Sequence, residues 1–326
     1  MSPPPSSQKT YSRYTDMAVT PSKLVSLKDA IRDVVRNGDS VALGATLEPD
    51  IPFAAAHEII RQGKRDLTII APISDAGTDL LIGAGCVGGI KGAWVGNMMG
   101  GTGYNYRRAC EERVPRAITV SDYTNLSLGL ALFAGSTGMP YVPLHSLLGS
   151  DIAKINPDFQ RSDNPFSTSR EQVVLVPALV PDVTILCVQR ADESGTCHHW
   201  GSRGVAQEAA LAAKRVIIIA DEIVDSRVIA SDPSRVLVPG HLVTAVCHVP
   251  CGQNPAPMTG RWKRDTAFFA DDLARSKTRE GYLAWLKEWV LDISDHATYR
   301  AKLGATLEAL RIKGVALAAD VNYAAE

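Results

Sequence analysis

"VSLKDAIRDVVRNGDSVALGA", residues 25–45, holds one complete structural unit. Ser26 stands where a helix N-cap belongs, with Asp29 three residues on to close the first turn. Leu27, Ile31, Val34 and Val35 fall on one helical face, Gly38 ends the helix, and the run from Ser40 to Ala45 reads as a strand. The same alternation recurs along the chain. "PFAAAHEIIRQG" (52–63) is a helix with Pro52 near its start and Gly63 as its stop. "DLTIIAP" (66–72), "VTILCV" (183–188), "RVIIIA" (215–220) and "LVTAVCHV" (242–249) are strands, and "VAQEAALAAK" (205–214) is a helix. Strands that are apolar nearly throughout must be covered on both faces, which is the condition of a parallel sheet. The expected architecture is α/β: an open, mostly parallel sheet covered by helices.

The C-terminus reads differently. In "REGYLAWLKEWVLDI" (279–293), Tyr282, Trp285, Leu286, Trp289 and Val290 fall at helical spacing, and "DHATYRAKLG" (295–304) is a second helix ending at Gly304. Such an aromatic stripe packs either on the core or on a partner subunit. The sequence therefore divides into a flexible N-terminal tail (1–22), an α/β domain (23–265) and a C-terminal helical extension (266–326).

Between these, "LIGAGCVGGIKGAWVGN" (81–97) contains Gly83-Ala84-Gly85-Cys86-Val87-Gly88, the spacing of a dinucleotide-binding turn. That turn needs a strand before the glycines and a helix after them, so that helix N–H groups meet a pyrophosphate. The order here is reversed. "DAGTDLLIGAG" (75–85) reads as a helix closed by glycine, and glycine-rich "CVGGIKGAWVG" (86–96) suits a strand. The stretch is a helix-to-strand turn.

With 326 residues, 45% of them hydrophobic, the chain has the length and composition for a large core. A net charge of −1 gives no basic surplus for nucleic acid or an anionic membrane. "MSPPPSSQKTYSRYTDM" lacks the apolar core of a secretion signal, and the six cysteines read as reduced thiols, so a cytoplasmic setting is expected. The uncharged run Thr124–Ser150 is interrupted by Gly135, Gly138, Pro140 and Pro143, and reads as a buried helix followed by a buried strand rather than a membrane span.

Three small-residue loops follow predicted strands: Gly44-Ala45-Thr46, then Pro72 to Gly77 with Ser74, and Gly96 to Gly101 with Asn97, Met98, Gly100 and Gly101. At one sheet edge their N–H groups suit an oxyanion or a closely approaching ligand. "TCHHW" (196–200) and "CHVPC" (247–251) put cysteines and histidines together, but adjacent ligands diverge and neither has zinc-site spacing, so no metal is expected. Asp221-Glu222 follows "RVIIIA", at the strand end where ligands gather in open sheets; Glu222 is the best-placed carboxylate for a nucleophile or base. There is no G-x-S-x-G elbow and no Walker loop.

Taken in order, "LKDAIRDVVRNGDSVALGA" (27–45), "PFAAAHEIIRQG", "DLLIGAGCV" (79–87), "SDNPF" (162–166), "DEIVDSRVIASDPSRVLVPG" (221–240) and "LKEWVLDISDHATYRAKLGATLEALR" (286–311) resemble the A subunits of heteromeric family I CoA-transferases, glutaconate CoA-transferase among them. The resemblance runs from about Lys23 to Arg311. It departs near the N-terminal signature: Ala45 and Thr46 stand in place of glycine and phenylalanine, and Asp50 in place of glycine. It implies CoA exchange between an acyl-CoA thioester and a free carboxylic acid, with coenzyme A as substrate and no further cofactor. In that family a glutamate of the homologous B subunit, in a Ser-Glu-Asn-Gly context, carries the acyl and CoA groups. This chain has no Glu-Asn-Gly; Glu193-Ser194-Gly195 comes nearest. The resemblance thus leaves no catalytic residue here, Glu222 being the alternative, and implies a hetero-oligomer of at least A2B2. Gly44, Ala45, Thr46, Ser74, Asn97, Met98, Gly100 and Gly101 are the expected substrate-binding residues. Two other functions fit the same scaffold: a hydrolase opening a ring of a steroid-derived acyl-CoA, and a non-catalytic sensor of acyl-CoA or sugar phosphate.

Overall fold

The computed structural model describes residues 21–101 and 103–313. The tail assigned to 1–22 lies outside the described residues except for its last two, as does everything beyond 313.

The first half is a run of parallel units. Helix α1 (Leu27–Val34) is capped by the Ser26 side chain, which accepts from the Asp29 N–H. It stops before Gly38, because the Asp39 carboxylate accepts the Arg36 N–H and closes a turn. Gly38 follows in the left-handed region at φ 83°. Then come β1 (Ser40–Leu43), α2 (Phe53–Arg61), β2 (Leu67–Ser74), α3 (Ala76–Gly83), β3 (Val87–Val95), α4 (Tyr104–Glu111) and β4 (Thr119–Asp122). The order across 81–97 is helix, left-handed Gly85, strand.

Helix α5 (Asn125–Thr137) crosses to β5 (Tyr141–Leu144), α6 (Ile152–Ile155), β6 (Gln160–Asp163) and β7 (Gln172–Pro177). These three strands form a separate antiparallel sheet in the order β5-β7-β6. The expected buried strand after Thr124 is therefore corrected. Strand β5 joins this small sheet and leaves Tyr141 and Pro143 exposed.

The chain then returns to the main sheet with β8 (Val183–Ala191), β9 (Cys197–His198), α7 (Ala206–Ala212), β10 (Arg215–Ile223), α8 (Ser226–Ala230), β11 (Val236–Val238) and β12 (Ala245–His248). Two boundaries differ from expectation. Residues 240–242 form a 3-10 turn, so the last strand starts only at Ala245, and Asp221-Glu222 lie inside β10 rather than beyond it. Strands β12, β10, β8, β1, β2, β3 and β4 lie side by side in parallel, with β9 and β11 antiparallel beyond the end of β8.

Alternate residues of the central strands feed two cores. Val216, Ile218 and Ala220 of β10 meet α5, α7 and the small sheet through Leu128, Ala131, Ala209 and Val174. Ile217 and Ile219 meet α1, α2 and α3 on the other face. That second core continues into α9 (Thr266–Ser276), α10 (Arg279–Leu286), α11 (His296–Leu303) and α12 (Ala305–Leu310). The aromatic stripe is spent there. Tyr282, Trp285 and Val290 are buried within this chain, and Phe268 packs edge-on to Trp285, Trp289 and Tyr299. The stripe thus gives no support to a partner contact.

Candidate functional site

Strands β1, β2 and β3 are neighbours in one parallel sheet, so the segments leaving them share its carboxyl edge. That brings the expected substrate-binding residues together, but their surroundings differ. At the end of β1, Gly44 is left-handed at φ 66°, Ala45 is buried with its carbonyl accepting from the Val205 N–H, and buried Thr46 donates to the Pro49 carbonyl. Ser74 is the last residue of β2, paired with Val95, so the loop expected at 72–77 shrinks to Asp75 between strand and helix. After β3, Asn97 is buried and reaches the C-terminal segment, donating to the Phe269 carbonyl (3.1 Å) and the Asp272 carboxylate (3.2 Å). The Met98 N–H donates to Asp75, a Cβ on Gly100 would collide with the Leu273 side chain, and a Cβ on Gly101 would meet open space. Asn97 and Gly100 are therefore committed to packing against α9, and residues 44–46 are buried, while Gly101 is exposed.

The clamp on α9 continues below. Asp79 accepts from the N–H groups of Asn105 and Tyr106 at the start of α4, and Arg108 donates to the Ser276 carbonyl at the end of α9. Burial, then the neighbouring Asp79, push the Asp272 carboxyl up to about 7; hydrogen bonds from Ser276 and Asn97 pull the other way. Burial also raises Asp75 to about 6. The folded-state value of Asp272 lies above that of an unfolded chain. Its contribution is full below about pH 4 and is lost as pH rises through about 7. Asp272→Asn should therefore gain on the parent by about 4 kcal/mol between pH 4 and pH 8. Thermal melts at the two pH values measure this; a pH-independent difference between variant and parent would rule it out.

The remaining candidates are held apart. Asp221 accepts from the Cys251 N–H (2.7 Å) and the Trp262 indole (2.8 Å), stapling the segment after β12 to β10. Glu222, half exposed, is paired with Arg261. Of the Cys-His-His run, Cys197 contacts the Val238 carbonyl, and His198 accepts from Arg190 at Nδ1 and contacts the Ile229 carbonyl at Nε2. His199 faces Asp50. Among the described residues, no group of three or more His, Cys, Asp or Glu is arranged to hold a metal ion.

Sequence reasoning missed the pair Asp50–His199. Its atoms Oδ2 and Nε2 are 3.0 Å apart and both side chains are fully enclosed. The signal was divided: Asp50 stood out only as a departure from glycine, and His199 only as a poor zinc ligand.

The model of the family described as coenzyme A transferase matches residues 24–248. The chain belongs to the coenzyme A transferase family. Its curated relatives include the A subunit of 3-oxoadipate CoA-transferase of Pseudomonas knackmussii, 38% identical over 86% of this chain and 98% of the relative. The A subunit of glutaconate CoA-transferase of Acidaminococcus fermentans is 34% identical over 87% and 93%. Among solved structures, glutaconate coenzyme A-transferase from Acidaminococcus fermentans superposes with a TM-score of 0.84 at 33% identity, covering 89% of this chain and 96% of that one. The decarboxylase AibA/AibB superposes at 0.69 with 25% identity, covering 82% and 100%. Membership in the CoA-transferase family and the open parallel sheet with C-terminal helices are thereby borne out. No described helix is long and apolar enough to cross a membrane.

Proposed function

We propose that this chain is the A subunit of an acyl-CoA:carboxylate CoA-transferase whose covalent chemistry is carried by a glutamate of a homologous B subunit. The observation that carries the reading is the near full-length match to two relatives both named as A subunits of CoA-transferases. Both names refer to dicarboxylic acids, so the substrate class is a short dicarboxylic acid and its CoA thioester. The partner's carboxylate attacks the thioester carbonyl and expels CoA thiolate, giving a mixed anhydride. The thiolate then attacks the glutamyl carbonyl and frees the acid. A second acid reverses the sequence. A carboxylate is ionised at neutral pH and needs no separate base. On this reading the carboxyl-edge segments 44–46, 74 and 97–101 flank the acyl site against the partner, with Asn97 and Gly100 supporting it through α9 rather than lining it.

In this reading Glu222, which pairs with Arg261, is not the nucleophile. The test is trapping. The chain is co-expressed with a B-type partner, incubated with succinyl-CoA or acetyl-CoA and a dicarboxylate, and quenched with hydroxylamine or borohydride. Peptide mass should place the modified glutamate on the B-type partner. Glu222→Gln should keep turnover within about threefold of the parent, as expected for loss of a half-exposed ion pair, whereas loss of a true nucleophile removes about a thousandfold or more. A modified Glu222 would move the chemistry onto this chain. Thioester loss without an added acid would mark a hydrolase instead, and release of carbon dioxide a decarboxylase.

A further inference from the structure

The chain leaves β1 for β2, β3 and β4 on one side and later returns on the other side with β8, so the strand order reverses between β1 and β8. In an open parallel sheet the loops at such a reversal diverge, and the crevice outside their carboxyl ends is where ligands bind. Here the two diverging loops are joined by a backbone bond, from the Val205 N–H to the Ala45 carbonyl, and by one side-chain pair. Asp50, on the loop after β1, meets His199, which follows β9 beyond the end of β8.

Asp50 is an expensive residue at this place. Its φ of 56° lies in the left-handed region that glycine enters freely and other residues rarely do. Its carboxylate is enclosed, and burial pushes its pKa up against the pull of His199. Oδ1 of Asp50 and Nδ1 of His199 are buried with no hydrogen-bond partner. A buried pair with half of its polar atoms unmatched is no more stabilising than apolar side chains of similar volume. Stability therefore does not account for it, whereas geometry does. The Asp50 N–H donates to the Pro257 carbonyl, and the His199 N–H donates to the Arg235 carbonyl. Pro257 follows β12 and Arg235 precedes β11, both on the β8 side of the reversal, so the pair fastens the loop after β1 to that side. The loop it holds includes Ala45 and Thr46, with Leu47 also left-handed at φ 77°.

We propose that Asp50 and His199 form a strut across the crevice between β1 and β8, which holds the loop after β1 at a set depth and thereby selects the length of the carboxylic acid. Asp50 is a positioning residue in this role. The proposal rests on the CoA-transferase reading above.

The test compares kcat/KM for malonate, succinate, glutarate and adipate as acceptors, with succinyl-CoA or acetyl-CoA as donor and the chain in complex with its B-type partner. Asp50→Gly accepts the backbone conformation and removes the strut; it should shift the preference between the shortest and longest acids about tenfold or more. Asp50→Asn keeps an acceptor for the imidazole N–H and tolerates the same backbone, so it should keep the parent's preference within about twofold. Should Asp50→Gly fail to assemble, the double variant Asp50→Gly, His199→Leu leaves neither partner buried and unmatched, and is read in the same way. An unchanged preference in these variants overturns the strut, as does an equal shift in Asp50→Asn. If the parent complex transfers CoA to none of the acids, the CoA-transferase reading fails and takes the strut with it; if the parent is active and the preference does not move, only the strut fails.

Discussion

Trp285→Ala should cost about 4 kcal/mol, the range for removing a large aromatic from a closed core. The side chain is 1% exposed, with its ring 5.5 Å from that of Phe268, in a core shared with α2 and α3. Its indole N–H is also buried without an acceptor. Trp285→Phe should therefore cost much less, under about 2 kcal/mol, because the ring volume largely stays and an unmatched donor goes. Urea unfolding of both variants measures the difference. The same titration bears on the proposed division of the chain at 265/266. One cooperative transition that Trp285→Ala moves as a whole fits a core running through the C-terminal helices. A separate early transition, with the rest unmoved, would show that the helices unfold by themselves and that the cost assigned to Trp285 is misplaced.

Gly83→Ala is the second large effect, about 3 kcal/mol at the upper end of overpacking costs. A Cβ there would stand 2.5 Å from the Tyr282 ring and 2.6 Å from the Asn105 amide. Neither can step aside. The Tyr282 hydroxyl is bound to the Leu80 carbonyl, and Asn105 is held by Asp79 and Arg108. Gly38→Ala, at an open turn, is the control: its φ of 83° is strained for alanine but no neighbour lies within 4 Å. A Gly83→Ala melt no lower than that of Gly38→Ala would remove close packing as the reason for this glycine. The first glycine of the G-x-G-x-x-G spacing thus serves the approach of a tyrosine from α10.

The sequence made the local units legible because their signals are local. Ser26 caps α1 from three residues away, Gly85 turns α3 into β3, and alternate residues of β10 divide between two cores. What it hid depends on distant partners. The small sheet β5-β7-β6 is built from short strands such as Gln160–Asp163, whose polar side chains look like a loop until β7 pairs with them. Spacing showed that Tyr282, Trp285 and Val290 share a face, but not that this chain's own core covers it. Within the candidate site, the placement of the loops at one edge followed from strand succession. The commitment of Asn97 to Asp272, and of Asp50 to His199 149 residues later, did not.

The clamp between the loop after β3 and α9 bears on synthesis as well as on the finished protein. Asn97 bonds to a carbonyl 172 residues downstream, and Arg108 to one 168 residues downstream. A ribosome adds roughly 5–20 residues each second, so the early strands emerge roughly 10 to 30 seconds before the helix that fastens their loop. In that interval the nascent chain can pair its first strands while their carboxyl edge stays uncovered. Helices α9 to α12 leave the exit tunnel after the sheet, so a message truncated before residue 266 yields a sheet whose loop after β3 lacks the helix that fastens it.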